Sequence, residues 1–368
     1  MSDHTHDLLA LTLVPGLGDK NIKQLVSYCG SPAEVFKASK AKLSSIPGFG
    51  MKMADIISNH RTNKQADTII EDATKKGMQV LNYLGKSYPT RLKQVMDAPN
   101  ILFKKGHGDL NPARTVAIVG TRRATSYGKE ITTKIVQDLR ALNVQIISGL
   151  AYGIDIEAHK ASLKNNISTV SVLAGGVDWI YPSIHKKIAE NIQEEGALLS
   201  ESIPGTKPDP HLFPARNRII AGMADCTIVV EAAEKGGALI TANIADTYNR
   251  LVFAVPGDIG HTHSVGTNKL IRSQRALIYT GAEDLRYHLN WSDDASAANT
   301  PLELPELSEA EQVVFKLLQE NEQPLEIDLI SMKSQVPINK VASLLLGLEF
   351  KNLVKCLPGK KYGLVGNH

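Results

Sequence analysis

Short apolar runs rich in β-branched side chains recur through the middle of the chain: TVAIVG (Thr115 to Gly120), VQIISG, TVSVLA, CTIVVEA and LVFAVPG (Leu251 to Gly257). Between them lie longer amphipathic segments such as KEITTKIVQDLRAL and ALITANIADTYN. A continuous apolar run bounded by turn residues suits a strand buried on both faces, and its alternation with helical segments predicts a parallel sheet covered by helices on both sides. The pattern therefore predicts an α/β fold of the doubly wound, extended Rossmann-like class over residues 77–290. Ligands of such sheets lie beyond the carboxyl ends of the strands. Most of this chain's glycine-rich and charged turns fall there.

The flanks follow other rules. VPGLG (Val14 to Gly18) and IPGFG (Ile46 to Gly50) repeat one pattern, each leading into a helical stretch, NIKQLVSY and MADIISNH. They predict an all-α tandem helix-hairpin-helix, SAM-like, domain over residues 1–76. Its turns have two readings: amides that face a DNA phosphate with Lys20, Lys23 and Lys52 nearby, or plain connections that serve packing or partner docking. After Trp291, SDDASAANTPLELPE is small, acidic and proline-bearing, as expected of a linker over residues 291–306. Ser308 and Glu311 then form a capping box ahead of VVFKLLQ. Two more helices, around IDLISMKS and PINKVASLLLGLEFKN, and a hairpin around Pro358-Gly359 predict a winged-helix-like domain over residues 307–368. Its third helix offers only Lys340 and Lys351, against Glu349, which favours protein contact over DNA reading.

Composition narrows the class without choosing the function. With 43% hydrophobic residues in 368, the chain can bury a sizeable core, and no window approaches the length of an apolar membrane span. The start, MSDHTHDLLALTLVPG, lacks the flanks of a secretory signal, so a cytoplasmic protein without membrane contact is expected. Cys29, Cys226 and Cys356 have no CxxC spacing and indicate neither a disulfide framework nor a zinc site. His261 and His263 with Asp258 lack a fourth ligand, so neither metal nor cofactor is expected. A net charge of +3 is too mild to identify a nucleic-acid binder. The case rests on where the cations cluster.

They cluster first in AIVGTRRATSYG. A dinucleotide loop needs a glycine where Arg122 stands, and an acidic residue some 20 positions on, where VQIISG has none. What remains is a strand-to-helix turn with the free amides of Gly120 and Thr121, the Thr121 hydroxyl and the guanidiniums of Arg122 and Arg123, a set that suits phosphate oxygens. The competing reading leaves Arg123 on the surface and pairs Arg122 with Asp155. HLFPARNRIIAGMAD sets Arg216 and Arg218 around Asn217 behind Phe213, the ingredients of a single-strand groove, although Arg218 also fits a buried ion pair. GGVDWIYPSIHKKI adds Gly176, Lys186 and Lys187, and IPGTKPDP adds Lys207. At EAAEKGGALITANIA, Gly236-Gly237 opens a helix. That turn also resembles the PGGxGTxxE loop of nucleoside-monophosphate phosphoribohydrolases, but Thr241-Ala242-Asn243 stands where the catalytic glutamate would be. A phosphoribohydrolase-like enzyme remains the alternative, with Glu201 or Glu231 as its acid. Asp155, Asp178, Glu201 and Glu231 sit on separate turns, and capping or arginine pairing explains each of them as well.

In this order the motifs resemble the DNA-processing protein A family, also called DprA or Smf. YPTRLKQVMDAPNILFKKG, VAIVGTRRATSYG, SGLAYGID, LAGGVDWIYP, LSESIPGTKPDP, FPARNRIIAGM, GGALITANIA, VFAVPG and GTNKLI carry the likeness. The resemblance implies a non-enzymatic protein that binds and protects incoming single-stranded DNA in natural transformation and loads the RecA recombinase onto it. It implies a homodimer formed through the doubly wound domain, with Leu270 and Ile271 as its interface or partner residues, and single-strand binding protein as a further partner. It places the phosphate-loop arginine at Arg122, the FPxRN arginine at Arg216 and the lysines after the YP motif at Lys186 and Lys187. Three departures stand out: GTR for Gly-Ser-Arg, GGALIT for SGSLIT, and LIRSQRA for LIxxGA, which adds Arg272 and Arg275.

Overall fold

The chain opens with helices α1 (Thr5–Thr12), α2 (Asp19–Cys29), α3 (Pro32–Lys37), α4 (Lys40–Ser44), α5 (Met51–Asn59) and α6 (Asn63–Lys75). The two Pro-Gly repeats are type II turns. Leu17 N donates to Val14 O at 3.2 Å and Phe49 N to Ile46 O at 3.0 Å, with Gly16 and Gly48 at φ +77° and +82°, the left-handed position such a turn reserves for glycine. In this computed structural model residues 4–59, 62–291, 307–319, 321, 325–351, 353–357 and 361–364 are described. Two compact units result, Met1–Trp291 and Ser292–His368. Residues 292–306 of the expected linker, and the Pro358-Gly359 tip, lie outside the described residues.

The rest of the first unit alternates β1 (Gln79–Asn82), α7 (Thr90–Lys93), β2 (Ile101–Lys105), β3 (Thr115–Val119), α8 (Ser126–Leu139), β4 (Gln145–Ser148), α9 (Ile154–Lys164), β5 (Thr169–Val172), α10 (Lys186–Glu195), β6 (Ala197–Ser200), α11 (Leu212–Met223), β7 (Cys226–Val229), α12 (Gly237–Thr247), β8 (Leu251–Ala254), α13 (Val265–Arg272), β9 (Leu277–Ile278) and α14 (Ala282–Leu289). The strands form one nine-stranded sheet in the order β1-β2-β6-β5-β4-β3-β7-β8-β9. From β6 to β9 all neighbours are parallel, while β2 pairs antiparallel with β6 and β1 with β2. All five runs singled out in the sequence are strands of the parallel part.

Period-two alternation divides each central strand between two cores. Ala117 and Val119 of β3 join Ile219 and Ile220 of α11 and Ala242 and Ala245 of α12 on one face. Val116 and Ile118 join Ile135 and Val136 of α8 and Ala158 of α9 on the other. The boundary expected at residue 76 is not a gap in packing. Leu8, Leu9 and Ile22 of the helical region share a core with Phe103 of β2 and Leu198 of β6. No helix among the described residues is long and apolar enough to cross a membrane.

The strand order decides where a ligand can sit. From β3 the chain adds β4, β5 and β6 outward on one side, then returns so that β7 lies against the other side of β3. Between β3 and β7 the connections leave in opposite directions, and a crevice opens above the carboxyl ends.

The second unit holds α15 (Glu309–Gln319), β10 (Leu325–Glu326), α16 (Ile327–Ser334), α17 (Ile338–Phe350), β11 (Val354–Leu357) and β12 (Lys361–Leu364), with an antiparallel sheet in the order β10-β12-β11. Val314, Ile330, Val341, Leu345 and Leu348 form its core. The capping box is present: Ser308 N donates to Glu311 Oε2 at 2.9 Å, and Glu311 N to Ser308 Oγ at 3.4 Å. Lys351 binds the same carboxylate at 2.8 Å, while Lys340 is exposed.

Candidate nucleic-acid interface

β3 ends at Val119, and the chain turns through Gly120, Thr121, Arg122 and Arg123 before Thr125 caps α8, its hydroxyl accepting from Gly128 N at 3.0 Å. The end of β7 holds this loop in place. Thr121 N donates to Glu231 O at 2.8 Å, and the Glu231 carboxylate accepts from Thr125 N at 3.0 Å and from the Thr125 hydroxyl at 2.5 Å. On the other side Ile154 N, at the start of α9, donates to Thr121 O at 3.2 Å. Gly153 makes that approach possible. Its backbone is at φ 78°, ψ −125°, and a Cβ there would lie 2.1 Å from the Thr121 carbonyl oxygen.

Above β3 and β7 lies a cavity of about 560 Å³. Gly120, Thr121 and Arg122 line it from the loop, Phe213, Arg216 and Asn217 from α11, and Lys235, Gly236 and Gly237 from the entry to α12. Tyr181 and Asp155 complete the wall used below. The charged lining is three cations, Arg122, Arg216 and Lys235, against one carboxylate, Asp155. Its excess is positive, and the amino end of α12 adds to it.

The two arginines differ in kind. Arg122 is exposed, its guanidinium 5.1 Å from the centre of the Phe213 ring, whose edge meets Tyr181 at 5.9 Å. It makes no ion pair among the described residues, so the Arg122–Asp155 pairing of the competing reading is not formed. Arg216 is only 5% exposed and its Nη1 donates to the carbonyls of Gly149, at 2.7 Å, and Val172. Burial pushes its pKa down to about 10, against the attraction of Asp155, so the guanidinium stays charged at neutral pH on the cavity floor. Burial pushes Asp155 up, opposed chiefly by Arg216, then by backbone amides and Arg122.

Other expected site residues lie elsewhere. Arg218, two positions from Arg216 and hence about 200° around the helix, is turned from the cavity; it bonds Glu201, Asp97 O and, at 3.4 Å, Asp19. It forms a partly buried ion pair with Glu201, close to its alternative reading. Arg123, Lys186 and Lys187 are exposed but do not line the cavity. Gly176 is buried in a turn, its N–H donating to Thr206 O at 2.9 Å, and Lys207 is exposed with its ammonium 5.3 Å above the Trp179 ring. Lys23 is withdrawn from the solvent face of the helical module, donating to Ala98 O at 2.7 Å. The expected interface residues lie on α13. Leu270 is 6% exposed within the sheet core, and Ile271 packs half-buried against that core, because α13 lies along β8 with its apolar positions turned inward.

The two acids of the enzyme alternative have structural partners. Glu231 organises the arginine loop, and Glu201 holds Arg218, burial and the neighbouring Asp19 and Asp97 raising its pKa to about 7 against the pull of that guanidinium. Among the described residues no group of three or more His, Cys, Asp or Glu is placed to hold a metal ion. Among the lining residues not singled out in the sequence are Tyr181 and Lys235. Tyr181 belongs to the YP pair, and Lys235 adjoins Gly236-Gly237.

Comparison with known proteins agrees with the fold. The family model of DNA recombination-mediator protein A matches residues 79–290, that of the DprA winged helix domain residues 298–360, and that of the SAM-like helix-hairpin-helix tandem residues 8–58. Protein Smf of Synechocystis is 33% identical, over 96% of this chain and 97% of its own. DNA processing protein DprA of Bacillus subtilis is 41% identical over 57% of this chain and 71% of its own. Among solved structures, DNA processing protein A of Streptococcus pneumoniae is similar with a TM-score of 0.65 at 32% identity, covering 78% of this chain and 98% of that one. That of Helicobacter pylori, solved for its single-stranded DNA binding mode, gives a TM-score of 0.52 at 29% identity, over 58% and 95%.

Proposed function

The chain belongs to the DNA recombination-mediator protein A family, and on that premise we propose that it binds and protects single-stranded DNA and loads the RecA recombinase onto it, in natural transformation or homologous recombination. Its action is binding rather than catalysis, without a cofactor. It works as a cytoplasmic homodimer, with RecA and single-strand binding protein as its protein partners.

One observation carries the reading. At the switch point of the sheet an unpaired, exposed guanidinium, Arg122, rests on an aromatic ring at the mouth of a cavity whose floor holds a second guanidinium. Phosphate oxygens satisfy the donors of such a site, and a ring beside them offers a face to an unstacked base.

The test is a fluorescence-anisotropy titration with a labelled oligonucleotide, single-stranded and then duplex, at two salt concentrations. Tight, salt-sensitive and single-strand-selective binding is expected. Arg122→Ala should weaken it by about 1–3 kcal/mol, the worth of a charge-assisted bond, and flatten the slope of log K against log salt by about 0.7. Binding to neither form would overturn the proposal.

A further inference from the structure

Two loops meet beside the cavity, one running from Gly175 to Tyr181 after β5 and the other from Ser202 to Pro210 after β6. Backbone and carboxylate hydrogen bonds join them. Gly176 N donates to Thr206 O at 2.9 Å, Gly205 N to Asp178 Oδ1 at 2.8 Å, and Lys76 reaches the same carboxylate at 2.7 Å. On this fixed base two large rings remain in solvent, Trp179 at 43% and Tyr181 at 51% exposure.

The rings occur with cations in a series that begins inside the cavity. Arg122 lies over Phe213, Phe213 meets the edge of Tyr181, and Trp179, two residues before Tyr181, lies under the ammonium of Lys207. A run of three rings with a cation at each end offers a single strand bases to stack and phosphates to neutralise. A duplex does not fit, because its bases are already stacked on both faces.

We propose that Trp179 and Tyr181 form a base-stacking shelf that carries the strand out of the Arg122 cavity, with Lys207 contacting the phosphate that follows. The inference deepens the proposed function and rests on it. It adds the origin of single-strand preference: the cavity's cations attract any phosphate backbone, whereas the shelf accepts only unstacked bases.

Tryptophan emission gives a direct readout, since the chain has two tryptophans, Trp179 and Trp291. The full-length protein and its Trp179→Phe and Trp179→Ala variants are titrated with a thymidine oligonucleotide and with an abasic oligonucleotide of equal length. Emission and anisotropy are read together. In the unaltered protein the thymidine strand should quench emission along its binding curve, while the abasic strand binds without quenching. The quench should vanish in Trp179→Phe. Trp179→Ala should lose about tenfold or more in affinity for the thymidine strand and nothing for the abasic one, whose unchanged binding also shows that the variant is folded. Thymidine binding by the unaltered protein without quenching, and with equal affinity in Trp179→Ala, would overturn the shelf and leave the proposed function standing. No binding of thymidine strands at all would overturn both.

Discussion

Gly153→Ala is a test of whether the SGLAYGID turn is what holds the arginine loop in place. The added Cβ would lie 2.1 Å from the Thr121 carbonyl oxygen and 2.7 Å from the Arg122 carbonyl carbon, both backbone atoms that cannot swing aside. The residue would also have to keep φ 78°, ψ −125°, a conformation reserved for glycine. Backbone strain of that kind costs about 1–3 kcal/mol, and overpacking a tight contact adds about 1–3 kcal/mol. The loss in stability is therefore expected at about 2–6 kcal/mol, lower where the loop retreats. Retreat has its own signature, because moving Thr121 O breaks its bond from Ile154 N and displaces Arg122. Urea unfolding should show a lower midpoint at unchanged slope, and single-strand affinity should fall at urea-free conditions where the variant is folded. Gly236→Ala is the control: its φ of −160° is ordinary extended backbone, a Cβ there meets nothing within 4 Å, and a change under about 1 kcal/mol is expected. A Gly153→Ala protein as stable as Gly236→Ala, with the single-strand affinity of the unaltered protein, would refute the claim that close backbone approach positions the loop.

Two further outcomes follow from the same contacts. Glu201 titrates near 7 in the fold against an ordinary 4.5, so the native state holds its proton more tightly. Its contribution to stability is full below about pH 4.5 and is lost as pH rises through 7, by up to about 3 kcal/mol. Glu201→Gln should remove that decline, and parallel stability–pH curves for the two proteins would contradict the assignment. The second unit has its own core, so deleting residues 307–368 should leave single-strand affinity unchanged while reducing RecA loading in a strand-exchange assay. Undiminished loading would show that the tail is dispensable for it.

Most of the architecture was legible because its signals are local. The five apolar runs, the Pro-Gly turns at Gly16 and Gly48 and the Ser308–Glu311 box each follow from the chemistry of a few adjacent residues. β1 and β2 escaped notice, since QVLN and ILFKK carry no long apolar run and their antiparallel pairing depends on distant partners. The arginine loop was readable as a phosphate turn because Arg122 stands where a dinucleotide loop requires glycine.

Tertiary structure decided which cations face the cavity. Arg216 and Arg218 belong to one motif and look equivalent in a row of letters. Only the packing of α11 on β3, β4 and β5 turns the first into the cavity and the second toward Glu201 and Asp19. The same holds for Lys23, whose ammonium meets a carbonyl 75 residues away. Convergence of Tyr181, Phe213 and Lys235 on one cavity likewise depends on strand order, because β7 returns to β3 after the chain has built three strands on the other side. Residue type and spacing along the chain determined what chemistry the turns could perform, and the sheet determined which of them perform it together.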